Sequence, residues 1–579
     1  MKRSAAPDRP LDPPRPRDPE RPPDWILTDA TVWTGGPTTA APDPGREGAG
    51  LEGGAVALRD GKVLAVGPED DVMNLKGRDT ALFPMEGRFV MPGFVDAHVH
   101  LLVGGLQLFR VDLRGVSTRE EFMQRVGDRT RTTPPGEWIL GGGWNQEDWG
   151  GEFPTREWLD RVTPEHPVFL ERMDLHMGVA NSLALEMAGI DDETPDPENG
   201  RIDRDPDTGR PTGLLREKAV LGMGRAIPDL TDAARQSAVR AAALTALSQG
   251  ITQVHDMGAV QRASESWHSL EILRTLEAAG RLPIRVSSAL PVADWQRVAQ
   301  LVAEEGRHRG RLDWGRVKGF VDGSFGSSTA WFHEPYRHEP ERSGAEICDL
   351  EQLQADLASA LEADLQPAVH AIGDRANDWL LEVCRDLRRQ NPDRLARLRI
   401  EHAQHLTAAA IEEMGAHEML LSIQPLHILD DAPWVRTKLG PDRERRSFAF
   451  GSLERAGGLL AMGSDWPVAP MDPVGTLWSA VARLLPGSAT PEAPWLPDER
   501  LSLDSALRAH TWGGARAGGL DGRTGSLDPG KVADLVALSE NPFRVPAEEL
   551  CHRIEVDMTF VDGVLAYRRD DATAVLAAP

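Results

Sequence analysis

Two histidines separated by one residue close the run Phe94-Val95-Asp96-Ala97-His98-Val99-His100. β-branched and aromatic residues make that run a strand. Residues i and i+2 of a strand face the same way, so His98 and His100 present two imidazoles side by side, an arrangement that suits one divalent ion. His-x-His alone is a weak signal, and the reading depends on further ligands arriving from elsewhere. Later segments offer them. Lys318 lies in the short strand Val317-Lys318-Gly319-Phe320-Val321, His370 ends Gln366-Pro367-Ala368-Val369-His370, His402 ends Leu398-Arg399-Ile400-Glu401-His402, and Asp465 follows the strand from Leu459 to Gly463. Four imidazoles, a lysine and a carboxylate can hold two divalent ions if carbon dioxide converts the lysine to a carbamate, which then bridges the ions as a carboxylate would. Such a pair activates a bridging water and polarises a scissile carbonyl, and Asp465 can coordinate one ion and take the proton of that water.

The elements that must position these groups alternate in type. A helix is expected over Thr231 to Ser248, capped by Thr231 or Asp232 and ended by Gly250, with a strand over residues 251–255 after it. Helices follow His370 (from about Ala376 to Arg389) and His402 (from about Ala408), and a strand covers residues 420–424. Strand-then-helix alternation implies a parallel sheet, and the length fits an α/β fold, a (β/α)8 TIM-like barrel over residues 93–515. Chemistry in such a barrel sits at the C-terminal strand ends, where every residue named above falls. Residues 110–230 exceed what two βα units need and read as an insertion capping the active face. Both ends of the chain are β-rich, with hairpin signals at Asp60-Gly61 and Asp562-Gly563. Residues 24–92 and 516–570 are therefore expected to form one small composite β-sandwich, with a loop at 40–54. Residues 1–23 read as a disordered tail, and residues 571–579 as a C-terminal tail.

The 579 residues carry a net charge of −26, which argues against nucleic acid and anionic membrane as partners. Three cysteines, Cys348, Cys384 and Cys551, lie in no metal or redox spacing and fit a reducing cytoplasm. No apolar run reaches the length of a membrane span. A small molecule is the expected partner, and a homodimer, the commonest closed assembly, is the default expectation for the quaternary state.

The motifs Pro92-Gly93-Phe94-Val95-Asp96-Ala97-His98-Val99-His100, Val317-Lys318-Gly319-Phe320-Val321-Asp322-Gly323-Ser324, His370-Ala371-Ile372-Gly373-Asp374, Arg399-Ile400-Glu401-His402-Ala403-Gln404 and Gly463-Ser464-Asp465-Trp466-Pro467-Val468 resemble the amidohydrolase superfamily. More narrowly they resemble the amidohydrolase 3, YtcJ-like family, which includes N-substituted formamide deformylases. The resemblance spans about residues 25–568. It implies a metal-dependent hydrolase of carbon–nitrogen bonds other than peptide bonds, acting on a small amide or N-substituted formamide. It makes His98, His100, His370, His402 and Asp465 metal ligands and Lys318 the bridging ligand if carbamylated. One or two divalent ions are expected, zinc first. Catalytic roles fall to Asp465, Lys318 and His176.

His176, Trp144 and Asn145 are candidates for substrate contact, the last two in the glycine loop Gly141-Gly142-Gly143-Trp144-Asn145. Gln424 and His427 are weaker candidates, and His255 reads as a core hydrogen-bonding residue. His166, His268, His308, His338 and His552 read as surface residues. Relatives often carry arginine where Ser328 stands. Two other readings compete: a mononuclear-metal deaminase of a heterocycle or amine, and a non-catalytic barrel scaffold. The intact ligand set disfavours the scaffold.

Overall fold

The computed structural model describes residues 21–37, 50–172, 177–197, 200–259, 263–390, 398–485 and 493–571. Eight parallel strands form its centre: β1 (Phe94–Val99), β2 (Ile251–Asp256), β3 (Arg285–Pro291), β4 (Leu312–Phe320), β5 (Gln366–Ala371), β6 (Arg399–His402), β7 (Leu420–Ile423) and β8 (Leu459–Met462). Each pairs with the next in chain order. The first and last meet through a Val99–Trp466 bridge, with Asp465 N–H donating to His98 O at 2.7 Å and His100 N–H to Trp466 O at 2.8 Å. This is the expected TIM-like barrel.

Two strands differ from the sequence reading. β3 was not anticipated, and β4 begins at Leu312 rather than Val317. Arg285, Ser287 and Ser288 interrupt the apolar run of β3, yet all three are buried. Arg285 is bonded to Asp534, and Ser287 Oγ accepts from Arg316 Nη1 at 2.8 Å. Burial of Arg285 and Ser287 is tolerated because they are paired, and a pairing so distant in sequence leaves no local trace. The helix Asp232–Ser248 forms as expected, with the Thr231 hydroxyl accepting from Ala234 N–H.

A second sheet joins strands from both chain ends. Leu535–Leu538 pairs with Phe89–Pro92 on one side and Val556–Val561 on the other. Leu27, Val56 and Met85 share one apolar core with Leu535 and Phe560. Asp60 and Gly61, and Asp562 and Gly563, all have positive φ between 51° and 71°, as tight two-residue hairpins of this twist require. The strand Leu51–Arg59 starts inside the segment expected to be a loop. Its first residue pairs through the backbone with Val32, so its low side-chain propensity matters little. Residues 40–49 lie outside the described residues.

Between β1 and β2 stands a third sheet of six strands, running from Val111–Asp112 to Pro211–Glu217. It has its own core, which includes Phe122, Trp144, Trp158 and Val168. Among the described residues no helix is long and apolar enough to cross a membrane.

Candidate metal centre

Barrel register brings the predicted residues to one end. Phe320 lies opposite His370 across β4 and β5, and Ala371 lies opposite His402 across β5 and β6. His98, His100, Lys318, His402 and Asp465 are all buried.

His98 Nδ1 donates to Glu401 Oε2 at 2.7 Å, and His100 Nδ1 donates to the Gly258 carbonyl at 2.6 Å. With Nδ1 committed, each ring turns Nε2 inward. Both Nε2 atoms meet one oxygen, Asp465 Oδ1, at 3.4 and 3.3 Å. Two nitrogen lone pairs facing a carboxylate oxygen call for a cation between them, either a proton or a metal ion. Burial and the Lys318 ammonium push His98 down to about 4. Burial opposes the Asp465 carboxylate, but the His98, His100 and His402 rings outweigh it and hold the group well below the usual range. His100 is raised, because the Asp465 carboxylate outweighs the effect of burial.

His402 stands with its ring centre 5.1 Å from that of His98 and 4.4 Å from that of His370. In a regular strand Glu401 and His402 would face opposite ways. Here His402 takes φ 75° and Ala403 φ 45°, so the alternation breaks and both side chains reach His98. Asp465 is likewise left-handed, at φ 59°. Asp96 holds that turn, accepting from Ser464 N–H at 2.9 Å and from Ser464 Oγ at 2.6 Å. Strain of this kind gathers at functional sites and is held by surrounding structure.

His427 opens the helix His427–Leu439, and its Nε2 lies 3.7 Å from Asp465 Oδ2. Ligand atoms of His98, His100 and Asp465 lie within 4.8 Å of one another, and so do those of His402, His427 and Asp465. The sequence reading ranked His427 low. Its position four residues beyond the end of β7 was the available signal. Glu401 was passed over as well, although it adjoins His402. It lies against Arg399, whose Nε donates to Oε1 at 2.5 Å. Burial opposes its ionisation, but Arg399 and His98 outweigh that effect and hold the carboxyl well below its usual range.

His370 Nε2 donates to the Gly323 carbonyl at 3.0 Å, which leaves Nδ1 as its free nitrogen. Lys318 Nζ lies 5.0 Å from the centre of the Phe320 ring, and burial drives it down to about 8. Lys318 Nζ, His402 Nδ1, His427 Nε2 and Asp465 Oδ1 are all buried without a hydrogen-bond partner among the described residues. Buried polar atoms are almost always paired. Four orphans of metal-ligating type in one place fit a divalent ion.

Other candidates fall elsewhere. Trp144 is fully buried in the core of the six-stranded sheet, and its Nε1 donates to the Leu170 carbonyl at 2.9 Å. Asn145 Oδ1 accepts from Arg172 Nη2 at 3.1 Å, and its amide donates to Asp148. His176 lies outside the described residues. His255 is buried and accepts from Arg399 Nη1 at 2.8 Å, as a core residue should. His166 corrects its surface reading: it is buried, with Nε2 donating to the Thr133 carbonyl at 3.0 Å. Gln424 is buried and donates to the Ser422 carbonyl. Ser328, also buried, is bonded to His338.

A sequence profile described as "Amidohydrolase family" matches residues 85–567. The chain is 40% identical over 550 residues to the protein LONG AFTER FAR-RED 3 of Arabidopsis thaliana, across 94% of this chain and 91% of that one. It is 30% identical over 536 residues to an N-substituted formamide deformylase of Arthrobacter pascens, across 89% and 95%. The crystal structure of an uncharacterized metal-dependent hydrolase from Pyrococcus furiosus matches at a TM-score of 0.71 and 29% identity, covering 90% of this chain and 100% of that one. The matched span takes in the barrel, the inserted sheet and the C-terminal strands, and the chain belongs to the amidohydrolase family.

Proposed function

We propose that this protein hydrolyses a carbon–nitrogen bond, other than a peptide bond, in a small amide or N-substituted formamide. The observation that carries the reading is the meeting of His98 and His100 Nε2 on Asp465 Oδ1, beside buried polar atoms that have no hydrogen-bond partner among the described residues. In this reading His98, His100, His370, His402 and Asp465 would hold the metal, Lys318 would complete the set if carbamylated, and His427 joins it by its distance from Asp465. One or two divalent ions held there, zinc first among the metals imidazole suits, would supply Lewis acidity toward the carbonyl and acidify water. The protein's own share is positional. Glu401 and Gly258 fix the two imidazole tautomers, Asp96 fixes the Asp465 turn, and Asp465 receives the proton of the attacking water and returns it to the leaving nitrogen. His176 and Asn145 remain proposed substrate contacts of the inserted region, whereas Trp144 is withdrawn from that role by its full burial.

Asp465→Asn is expected to lower turnover by about 10²–10⁴-fold, the usual scale for a positioned acid–base group, while metal stays bound. Full activity in that variant removes the role given to Asp465.

A mononuclear deaminase is the second reading, favoured by the fact that both ligand trios share one carboxylate, Asp465. Elemental analysis of wild type and Lys318→Ala separates the two. Two ions falling to one or none on substitution keeps Lys318 as a bridge. One ion in both proteins, with ammonia as the product, favours the deaminase.

A further inference from the structure

Beside the centre lies a cavity of about 400 Å³, bounded by the ends of β2, β3 and β4 and by the helix Leu350–Glu362. Lys318 is one of its walls. Another is formed by Met257 and Ala259, which flank Gly258, the acceptor for His100. The cavity therefore adjoins the reacting end of the barrel. Met257, Val292, Phe320, Ile347 and Leu353 make most of its surface apolar.

Its polar groups are largely engaged with one another. Ser266 Oγ accepts from Ala259 N–H at 2.9 Å, Asp349 caps the helix by accepting from Gln352 N–H, and the Gln352 amide donates to Asp356 at 2.9 Å. Lys318 is the one lysine or arginine among the lining residues, whereas two carboxyl groups, Asp349 and Asp356, line it. Such walls favour an uncharged apolar group and disfavour an anionic one.

Strand order gives the direction. Each barrel strand pairs with the next, so β4, whose Lys318 lines the cavity, stands across the barrel from β8, which Asp465 follows. If Asp465 returns the proton to the leaving nitrogen, that nitrogen lies on the β8 side. The other substituent of the carbonyl carbon then points toward β3 and β4.

We infer that the cavity holds the acyl group of the substrate, and that this group is uncharged and apolar. The inference rests on the role proposed for Asp465. It selects amides of medium-length acyl chains over formamides, whose acyl group is a single hydrogen. In the reaction the carbon–nitrogen bond breaks, the oxygen of water bonds to the acyl carbon, and the two protons of water end on the amine and the carboxylic acid. The acyl chain stays in the cavity while the amine leaves past Asp465.

The test uses the metal-loaded full-length protein and two substrate series. One holds the amine constant as methylamine and lengthens the acyl chain from acetyl to octanoyl. The other holds the formyl group constant and lengthens the N-alkyl chain from methyl to octyl. kcat/KM is expected to rise by about fourfold per buried methylene in the first series and to stay flat in the second. Ala293→Trp, at an exposed lining position, is expected to abolish the rise with acyl length and to leave the formyl series flat. A rise that follows the N-alkyl chain, or an equal effect of Ala293→Trp on both series, overturns the inference. Hydrolysis of neither series overturns the carbon–nitrogen reading, and calorimetry with 2-octanone, which has no bond to hydrolyse, then judges the cavity alone. Binding to wild type that Ala293→Trp abolishes keeps the apolar site. Equal binding to both proteins, or binding to neither, removes it.

Discussion

At the N-terminal end of β3, Arg285 donates from Nε to Asp534 Oδ2 at 2.7 Å and bonds to Asp562, while Arg311 donates to the other Asp562 oxygen at 2.9 Å. Asp562 N–H in turn donates to Asp534 at 2.9 Å. The sheet built from both chain ends is tied to the barrel through this cluster, in which Arg285 and Asp534 are buried and Arg311 and Asp562 half-buried. At the opposite end His98, His100, Lys318, His402, His427 and Asp465 form a second cluster, and four of its polar atoms have no hydrogen-bond partner among the described residues. Both clusters join segments far apart in sequence. The first spends its hydrogen-bonding capacity inside the protein. The second withholds it, which costs stability when nothing binds and leaves donors aimed at an exogenous group. A contrast of this kind, within one barrel, separates a structural from a functional use of buried charge, and it also orders the consequences of mutation.

The largest effect on folding is expected at the structural end. Arg285→Ala leaves two carboxylates without their shared partner and should lower unfolding free energy by about 3–5 kcal/mol, measured by denaturant titration, with kcat per folded molecule preserved. A drop in kcat without loss of stability would erase the distinction between the two clusters. At the functional end the reverse is expected. Glu401→Gln removes the charge that fixes His98 and should weaken metal affinity by about 10–100-fold, read by competition with a chromophoric chelator, while the barrel folds. Unchanged affinity would show that His98 needs no carboxylate to hold its orientation.

Acid gives the smallest and most graded test. Burial opposes ionisation of Asp562, but Arg285 and Arg311 outweigh it and lower its pKa in the fold. A carboxyl depressed in the folded state contributes stability above its unfolded value of about 3.9, and loses that contribution as pH falls through the folded value. Arg285→Ala should therefore flatten the acid limb of the stability curve below about pH 4. An unaltered limb would mean that other carboxylates govern acid unfolding.

Much of this was legible in the chain itself. His98 and His100 declared themselves by strand periodicity. Lys318, His370, His402 and Asp465 did so by lying near the ends of apolar runs that alternate with helices. Both hairpins followed from Asp-Gly pairs, because only a few residues accept positive φ twice in succession. The six-stranded sheet was less legible, since its short strands are broken by glycines and turns, and β3 was hidden by its own polar residues. Trp144 shows the limit of composition: an aromatic residue in a glycine loop reads as a pocket wall, yet packing and one hydrogen bond to Leu170 account for it.

The sequence by itself determined which side chains are available for chemistry and that they stand at strand ends, because alternation along a strand is a local property of the backbone. Tertiary structure alone decided which of them meet. The left-handed turn at His402 sends Glu401 and His402 to the same neighbour, and Asp96 reaches 368 residues along the chain to hold the turn at Asp465. His427 joins them from a helix. Those contacts depend on closing the barrel between β1 and β8, and no local pattern encodes a distance across a closed sheet.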